Sequence, residues 1–496
     1  MSKYGRRLEQ WLAGYAALLL VRILPRLAAS GKLKGALVAL TTVARAIPRE
    51  EHRRVQLEQL REAFRSDHAA LKLAQRVVAQ LHPKFLLTII RNLWMPLWVN
   101  GEVRQRFIVR EGFRPPSLAV ISPLKECNLQ CEGCYASAET KKQEQRLDFE
   151  TMDRIVTEIK SFGTPFVVIS GGEPTHSLIW PTLKKLCAKH SDMAFMMYTN
   201  GTLLDDKKVQ DLLELGNLSP AISVEGWREE TDDRRGAGVY DKVMAAMDRL
   251  REAGVFFGFS LTYTSKNFEA ATNPRFIDHL MGKGCMYGWY FMYVPVGKDP
   301  DIGLVVTPWQ RDKLRRFTWE VLRTRGLFIA DFWNSGPMSL GCIAGGRYLH
   351  VNNKGDIEPC VFFKFTTHNI KDSRLIDALR SPLFREIRRA QEKQCNPLTP
   401  CQFMDHPCDG KRAVAASGAR ASEEGGEGLF GSKIYPFLER WSAEYAEHYA
   451  AAAWRGSGDY AWFSHVYSEP RWLAPAVCPL GEVPRTEEKA TADIVH

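Results

Sequence analysis

The sequence lacks an apolar run long enough to cross a membrane. Its longest candidate, Trp11–Val21, covers 11 residues before Arg22 interrupts it, whereas a spanning helix needs about 20. We therefore expect no transmembrane anchor. The basic start and the apolar run superficially resemble a signal peptide, but export would suit poorly a chain with clustered free thiols. A cytoplasmic location is expected.

The sequence also lacks the evenly paired cysteines of a secreted disulfide framework. It contains 11 cysteines, an odd number, and most of them fall into two tight groups. Such grouping favours metal ligation in a reducing compartment. A net charge of +10 favours contact with anionic surfaces. However, the basic residues are dispersed and no RRM, KH or similar module is recognisable, so nucleic acid is not expected as a partner.

The periodicity of apolar residues divides the chain into four parts. Residues 1–112 have apolar positions at helical spacing and are expected to form a helical N-terminal extension. Within 113–330, six short apolar runs alternate with helix-period segments, which predicts parallel strands in a sheet or open barrel buried on both faces. Residues 331–412 are rich in glycine, proline and cysteine and suit a small domain held by metal. Residues 413–496 are typical of a linker followed by a C-terminal helical tail.

Candidate functional motifs follow the first four predicted strands. A cysteine triplet follows the first strand, "GGEP" (171–174) the second, "TNG" (199–201) the third and "EG" (225–226) the fourth. Ligands collect at the carboxyl ends of parallel strands, where these loops lie. We therefore expect the four motifs to meet at one rim.

Three cysteines, Cys127, Cys131 and Cys134, lie within eight positions in the stretch "KECNLQCEGCYAS". Structural zinc prefers four ligands in a closed tetrahedral site, and no fourth cysteine or histidine lies close in sequence. A disulfide would leave one thiol over. A cubane iron–sulfur cluster bound by three cysteines leaves one iron open to a substrate or cofactor. A catalytic cluster therefore explains the number three better than zinc does.

The spacing C-x3-C-x2-C followed by Tyr135 resembles the signature of the radical S-adenosylmethionine (radical SAM) superfamily. The resemblance implies an α/β fold with a partial (β/α)6 TIM-like barrel. It implies that Cys127, Cys131 and Cys134 are the catalytic ligands of a [4Fe–4S] cluster whose open iron chelates S-adenosylmethionine (SAM). A 5′-deoxyadenosyl radical would then abstract hydrogen from the substrate, with electrons from a donor such as flavodoxin or ferredoxin.

By the same resemblance, further residues are expected to bind SAM. "GGEP" looks like the methionine-binding strand end, where glycines permit a close approach of backbone to ligand. Ser223 and Glu225 stand where ribose hydroxyls are usually bound, although the family more often has Asp at the second position. Arg235 resembles the arginine that pairs with the cofactor's carboxylate. The expected cofactor-binding set is Tyr135, Gly171, Gly172, Glu173, Pro174, Thr199, Asn200, Ser223, Glu225, Arg235 and Ser260.

The second cysteine group resembles the C-terminal SPASM/Twitch extension of radical SAM enzymes. The stretch "HVNNKGDIEPC" fits its hairpin, with "NKGD" as the turn. A complete two-cluster domain uses more than the five cysteines found here, so we expect one auxiliary [4Fe–4S] cluster, with zinc as an alternative. The expected ligands are Cys342, Cys360 and two of Cys395, Cys401 and Cys408. Cys187 and Cys285 are expected to be packing thiols.

The sequence is least informative about the substrate. Basic, tryptophan-bearing amphipathic segments near the N-terminus are typical of interfacial helices, although such helices can instead pack on the main domain. The aromatic run Trp289–Tyr293 either lines the cavity or fills the barrel core. The leading hypothesis is hydrogen abstraction from a small-molecule or lipid-like substrate, with peripheral contact at the inner face of the membrane. The alternatives are a peptide or protein maturase of the same chemistry, and a zinc-binding scaffold without catalysis.

Overall fold

The computed structural model describes residues 3–45, 51–94, 101–140, 145–339, 341–394, 396–423, 426–431 and 433–456. Within these ranges, no helix is both long and apolar enough to cross a bilayer. Cys395, a predicted metal ligand, lies outside the described residues.

A parallel sheet forms the centre of the protein. Seven strands follow one another in chain order, each paired in parallel with the next: β1 (Leu118–Ile121), β2 (Phe166–Ile169), β3 (Ala194–Thr199), β4 (Leu218–Ser223), β5 (Gly258–Tyr263), β6 (Tyr287–Met292) and β7 (Phe328–Asp331). The crossover helices between them include Phe149–Ser161, Trp180–Lys189, Asp206–Leu215, Val239–Glu252, Pro274–Gly282 and Pro308–Thr324. The predicted α/β fold and its six strands are confirmed, and β7 is an additional strand that the sequence did not predict.

A hairpin from the cysteine-rich region extends the sheet beyond β1. Strand β8 (Tyr348–Val351) pairs in parallel with β1, and β9 (Asp356–Glu358) pairs antiparallel with β8. Gly355 in the turn has φ +93°, and a Cβ there would lie 2.7 Å from Asn369 Oδ1. Glycine is therefore required at this turn, the predicted hairpin is confirmed, and the cysteine-rich region joins the barrel through the sheet itself.

Side-chain caps determine where several crossover helices begin. Asp148 accepts a hydrogen bond from the Thr151 amide at 2.8 Å, and Asp205 caps its own helix in the same way. Thr307 and Gln310 form a reciprocal capping box at the start of the last crossover helix. Because these helices start at fixed residues, the loops that connect them to the preceding strands have fixed lengths.

The sheet is buried on both faces, as parallel sheets with crossover helices are. Every residue of β4 is buried, and Val167 and Ile169 of β2 have no exposed surface. Cys187 and Cys285 also lie fully buried in this core, in agreement with their predicted role as packing thiols.

The N-terminal region is helical, as predicted. Its helices are α1 (Lys3–Ala29), α2 (Leu33–Ala44), α3 (Glu51–Arg65), α4 (Ala69–Gln80) and α5 (Pro83–Thr88), followed by a π-helical turn at Ile89–Trp94 and a helix at Gly101–Glu111. Trp98, a tryptophan of one of the predicted interfacial segments, falls outside the described residues.

These helices bind the loops that precede strands β3 to β7. The Arg76 guanidinium donates to three carbonyl oxygens, those of Met281 and Cys285 before β6 and of Gly326 before β7. Further hydrogen bonds reach the loops before β3, β4 and β5, with acceptors at Ser191, Met193, Glu214 and Gly254. The predicted functional motifs follow the strands, so the helical extension packs at the opposite end of the sheet from them.

The C-terminal part of the described chain packs on the cysteine-rich region. The helix Pro407–Ser417 runs through the predicted boundary between residues 412 and 413, and β12 (Arg420–Ala421) pairs antiparallel with β10 (Phe365–Thr366). Residues 413–423 are therefore not a linker, because their backbone is bound in a helix and a strand pair. The other elements here are β11 (His368–Asn369) and the helices Gly336–Ser339, Leu375–Arg380, Pro382–Glu392, Ile434–Tyr445 and Ala451–Gly456.

Candidate active site

The three cysteines of the first group face one cavity at the carboxyl ends of strands β1 to β6, here called the rim cavity. Cys127, Cys131 and Cys134 are half-buried and line it together. Gly133 between them has φ +60°, and a Cβ there would lie 2.5 Å from a ring carbon of Tyr293. Only glycine fits this position without displacing the ring. Burial raises the pKa of the Cys127 thiol to about 12, and the charge of Glu173 adds to that effect.

The "GGEP" strand end is bound directly to the cysteine loop. The amides of Gly172 and Glu173 donate to the carbonyl oxygens of Leu124 and Glu126, each at 2.8 Å. A Cβ on Gly172 would lie 2.0 Å from the Glu126 carbonyl oxygen. This close approach of the two backbones explains why residue 172 is a glycine. The two hydrogen bonds hold the second motif against the first.

The carboxylate of Glu173 lies at the junction of the second and third motifs. One oxygen accepts from the amide and hydroxyl of Thr175 and from the hydroxyl of Thr199, and the other accepts from the Asn200 amide at 2.8 Å. The Asn200 side chain donates to Asn128 Oδ1 at 2.9 Å and to Cys127 Sγ at 3.7 Å. The third motif is thus connected to both the carboxylate and the cysteine loop.

Two serines lie side by side on the next strands. Ser223 of β4 and Ser260 of β5 are register partners whose hydroxyl oxygens are 3.1 Å apart, and both line the rim cavity. Two adjacent hydroxyls at a cavity surface suit a diol such as that of a ribose.

The carboxylate of Glu225 is fully buried and faces two arginines from the helix Arg228–Arg235. One oxygen accepts from Arg234 at 2.5 Å and from Arg235 Nε at 2.8 Å, and the other accepts from the Thr262 amide at 2.9 Å. Burial alone would raise the pKa of Glu225, but the charges of Arg234 and Arg235 outweigh it and hold that pKa below its usual range. The ribose contact predicted for Glu225 would need this carboxylate to leave both guanidinium groups.

Arg235 connects this ion pair to the cysteine loop. Its Nη1 lies 3.8 Å from Cys131 Sγ, and its side chain lines the rim cavity together with that of Arg234. The sequence prediction included Arg235 and missed Arg234, although the two are neighbours in "DDRRG".

The predicted cofactor-binding residues therefore gather at one place, with two exceptions. Pro174 and Glu225 do not belong to the lining of the rim cavity. The members that do line it are Tyr135, Gly171, Gly172, Glu173, Thr199, Asn200, Ser223, Arg235 and Ser260. The Tyr135 hydroxyl lies 2.5 Å from Ser170 Oγ, and its ring contacts Phe362 with centroids 5.1 Å apart.

The other half of the rim cavity is an aromatic wall. Within β6, Trp289 and Phe291 are half-buried and line the cavity, whereas Tyr290 is fully buried and donates to the Ala271 carbonyl oxygen at 2.9 Å. The aromatic run is thus divided between cavity lining and core, as the alternation of side chains along a strand requires. The wall consists of Tyr198, Trp289, Phe291, Phe332, Tyr348 and Phe362. Its members outside β6 were not predicted, because they come from separate strands and loops.

A second cavity, here called the auxiliary cavity, holds cysteines of the second group. Cys342, Cys360 and Cys401 line it, and the two cavities share Trp289, Phe332, Tyr348 and Phe362. Burial raises the pKa of Cys401 to about 12 and that of Cys360 further. Cys408 is exposed and is not part of this lining.

Two buried polar side chains in the auxiliary cavity have no hydrogen-bond partner among the described residues. They are the indole N–H of Trp333, a residue 2% exposed, and the side-chain amide of Gln402, a residue 4% exposed. Buried donors are normally satisfied. Three converging thiols with unsatisfied donors beside them fit an iron–sulfur cluster, whose sulfurs accept such hydrogen bonds.

Two family models match the parts of the chain that contain these two cysteine sites. Residues 121–269 match the radical SAM superfamily, and residues 342–403 match the SPASM family, an iron–sulfur cluster-binding domain. Residues 121–269 are therefore the catalytic domain of a radical SAM enzyme. More particularly, this domain is followed by a SPASM domain at residues 342–403. The cofactors of the enzyme are a [4Fe–4S] cluster that binds SAM, SAM itself, and auxiliary iron–sulfur clusters in the SPASM domain. The alternative of a zinc scaffold without catalysis is not supported.

Relatives of this chain have different named activities. It is similar to the AdoMet-dependent heme synthase of Oleidesulfovibrio alaskensis, with 22% identity over 66% of this chain and 90% of the relative. It is also similar to the sporulation killing factor maturation protein of Bacillus subtilis, with 27% identity over 65% of this chain and 76% of the relative. Among solved structures, Streptococcus suis SuiB bound to S-adenosylmethionine has a TM-score of 0.52 at 19% identity, covering 72% of this chain and 89% of that one. This last likeness concerns the fold.

Proposed function

We propose that this enzyme cleaves SAM reductively and abstracts a hydrogen atom from an unactivated carbon of an apolar, lipid-like substrate. The observation that carries the proposal is the division of the rim cavity. Cysteines and polar side chains, among them Arg234, Arg235 and Lys298, line one part of it, and the aromatic wall lines the other. The rings of the wall contact one another and form a continuous apolar surface. A reacting carbon beside that wall would have apolar neighbours.

The polar half of the rim cavity offers a binding partner for the ammonium, carboxylate and ribose groups of SAM. The cluster, when held by Cys127, Cys131 and Cys134, supplies the electron that splits SAM into methionine and the 5′-deoxyadenosyl radical. Glu173 would accept from the ammonium group, and Ser223 and Ser260 would bind the ribose hydroxyls. Arg234 and Arg235 would pair with the carboxylate, since guanidinium groups favour planar, bidentate partners. We assign Glu225 to positioning these arginines.

The aromatic half favours an apolar substrate over an anionic or strongly polar one. Carboxylates, phosphates and hydroxyl groups placed against aromatic rings lose their hydration without gaining a compensating hydrogen-bond partner. Four residues of this wall also line the auxiliary cavity, namely Trp289, Phe332, Tyr348 and Phe362. The aromatic surface therefore extends as far as the cysteines that would hold the auxiliary cluster. A small molecule or lipid chain that lies along the shared aromatic residues would be shielded from water over its length.

A peptide is the second candidate substrate, and some of the compared proteins favour it, whereas others are named heme synthases. One relative is named as a maturation protein, and a solved structure of SuiB is described as bound to a precursor peptide. The same radical chemistry would then act on a peptide side chain that enters the aromatic half of the cavity.

Isotope transfer to 5′-deoxyadenosine distinguishes the two candidates. Cells grown on deuterated medium would supply an apolar lipid extract and a peptide fraction, and each would be incubated with reconstituted, reduced enzyme and SAM. We expect deuterium in 5′-deoxyadenosine from the lipid extract. Deuterium from the peptide fraction alone would establish the second candidate instead. Equal 5′-deoxyadenosine from wild type and from a variant with Cys127, Cys131 and Cys134 all changed to Ala would overturn the mechanism.

Four further expectations belong to the proposal. One auxiliary [4Fe–4S] cluster would be held by Cys342, Cys360 and Cys401, with Cys395 as the fourth ligand because Cys408 is exposed. Electrons would come from a small donor protein such as flavodoxin or ferredoxin. The domain limits near residues 112 and 330 would separate the helical extension, the catalytic barrel and the SPASM domain, and the helical extension would make peripheral contact with a membrane.

A further inference from the structure

The outer surface of α1 and α2 concentrates exposed apolar side chains. Of ten large apolar residues that are exposed in the described part of the chain, five lie on these two helices. They are Leu18, Leu19 and Ile23 on α1, which are 51%, 41% and 45% exposed, and Leu40 and Val43 on α2, which are 36% and 68% exposed. These five residues are here called the outer apolar face.

Basic side chains lie among these apolar residues. Successive residues of a helix are about 100° apart, so Arg22 and Arg26 share the half of α1 that carries Leu18, Leu19 and Ile23. The buried residues Ala17 and Leu24 lie on the opposite half. An exposed helical surface that mixes large apolar and basic residues is typical of helices that lie in a membrane interface.

This part of the chain is also free of acidic residues. Residues 10–49 contain no Asp or Glu and six Lys or Arg. Lys34 and Arg45 form ion pairs with Asp67 and Glu58. Arg22, Arg26 and Lys32 are exposed, and none of them forms an ion pair with a described residue. Their charge is therefore directed toward the surroundings.

The α1 residues of the outer apolar face lie on the side of that helix that is turned away from the sheet. The inner side of α1 packs through Leu24 on Leu33, Val78 and Leu86 of α2, α4 and α5. Helices α4 and α5 in turn bind the loops that precede the strands. The face and the rim cavity thus lie at opposite ends of the sheet.

We propose that the outer apolar face docks on an anionic lipid bilayer, with α1 and α2 lying in the interface. This extends the peripheral contact proposed above and does not depend on the radical chemistry. Negative headgroups complement Arg22, Arg26 and Lys32, each of which contributes attraction at an anionic surface. A second copy of the chain is a poor occupant, because a two-fold contact would bring two acid-free basic surfaces together. Docking in this way directs the rim cavity away from the bilayer, so the substrate reaches it from the aqueous side or on a carrier.

Vesicle sedimentation with the full chain tests this docking. We expect binding to vesicles of phosphatidylglycerol and phosphatidylcholine that weakens with salt, and little binding to phosphatidylcholine alone. The charge variant Arg22→Gln/Arg26→Gln/Lys32→Gln should bind the anionic vesicles at least about tenfold more weakly. The variant Leu19→Ser/Ile23→Ser should lose binding by a comparable factor, because it removes insertion into the interface.

Matched controls separate the face from general charge and hydrophobicity. The variant Lys207→Gln/Lys242→Gln/Arg275→Gln changes the net charge equally at exposed positions elsewhere, and Val109→Ser removes an apolar residue that is 77% exposed. Both should bind as wild type does. Equal loss in these controls, no binding of wild type to anionic vesicles, or a dimer in solution that Leu19→Ser/Ile23→Ser abolishes would each overturn the proposal. SAM cleavage should be unchanged in all these variants, so a failure of docking and a failure of the radical chemistry are told apart.

Discussion

Arg311 and Asp405 form a fully buried ion pair that joins the last crossover helix of the barrel to the cysteine-rich domain. The same Asp405 carboxylate accepts from the Cys401 amide at 2.9 Å. The guanidinium of Arg311 also stacks on Tyr445, 3.9 Å from the ring centroid. One ion pair therefore connects the barrel, a cysteine of the auxiliary cavity and the C-terminal helix.

Replacing Asp405 with Asn should destabilise this junction. The change leaves the Arg311 charge buried without a counterion, which typically costs about 3–5 kcal/mol. We expect a lower urea midpoint and loss of auxiliary iron, from about eight to about four irons per chain. The matched variant Asp409→Asn alters a pair with Arg412 at the surface and should retain its iron. Full iron content in Asp405→Asn would contradict the role of this pair.

Replacing Glu225 with Gln should weaken SAM binding. The two arginines that Glu225 orients would lose their charged acceptor, and a hydrogen bond to a charged group contributes about 1.5–3 kcal/mol. We expect about a tenfold or larger rise in the dissociation constant for SAM, with cluster content unchanged by iron analysis. Asp241→Asn, which removes the exposed partner of Arg228, should leave SAM affinity as it is. An unchanged affinity in Glu225→Gln would show that the arginines do not need this carboxylate.

Replacing Gly172 with Ala should disrupt the cysteine loop. The new Cβ would lie 2.0 Å from the Glu126 carbonyl oxygen, so either the strand end or the loop must move. We expect loss of both the catalytic cluster absorbance and 5′-deoxyadenosine formation. Gly282→Ala provides the control and should remain active, because no atom outside its own helix and chain neighbours lies within 4 Å of the added Cβ. Normal activity in Gly172→Ala would mean that the two backbones separate at little cost.

The stability of the hairpin region should depend on the ionisation of Glu358. Burial alone would raise the pKa of Glu358, but Lys364 and His350 outweigh it and hold that pKa below its ordinary value of 4.5. The stability from the ionised form is therefore fully present above pH 4.5 and is lost as the pH falls through the lower, folded-state value.

Anaerobic urea unfolding between about pH 6 and about pH 4 measures this dependence. Wild type should be more stable than Glu358→Gln at the upper end, and the difference should shrink toward the lower end. Glu150→Gln, at an exposed position, corrects for the acid lability of the clusters. A difference that stays constant with pH would contradict this assignment.

The fourth ligand of the auxiliary cluster is open to direct test. Cys408 is exposed and outside the lining formed by Cys342, Cys360 and Cys401, so Cys408→Ser should keep about eight irons per chain, whereas Cys395→Ser should fall toward about four. Iron and acid-labile sulfide analysis of anaerobically purified protein gives both values. The reverse result would assign the site to Cys408.

Much of the barrel and its motifs could be predicted from the sequence, because buried parallel strands form short apolar runs and ligand-binding loops follow them. The direction in which individual side chains point could not be predicted from the sequence. Glu225 occupies the expected loop, yet its carboxylate turns to two arginines nine and ten residues later, a choice made by tertiary packing. Residues 413–423 look like a linker by composition. However, Ser422 donates to Glu358 and Glu423 pairs with Lys364 at 3.3 Å, and sequence does not reveal such distant partners.

The helical extension binds the loops that precede the strands, and the cysteine motifs occupy the loops that follow them. A change on the outer helices can therefore reach the reacting carbon only through the length of the sheet. The surface that the outer helices contact and the substrate that the rim cavity binds can therefore change independently of each other.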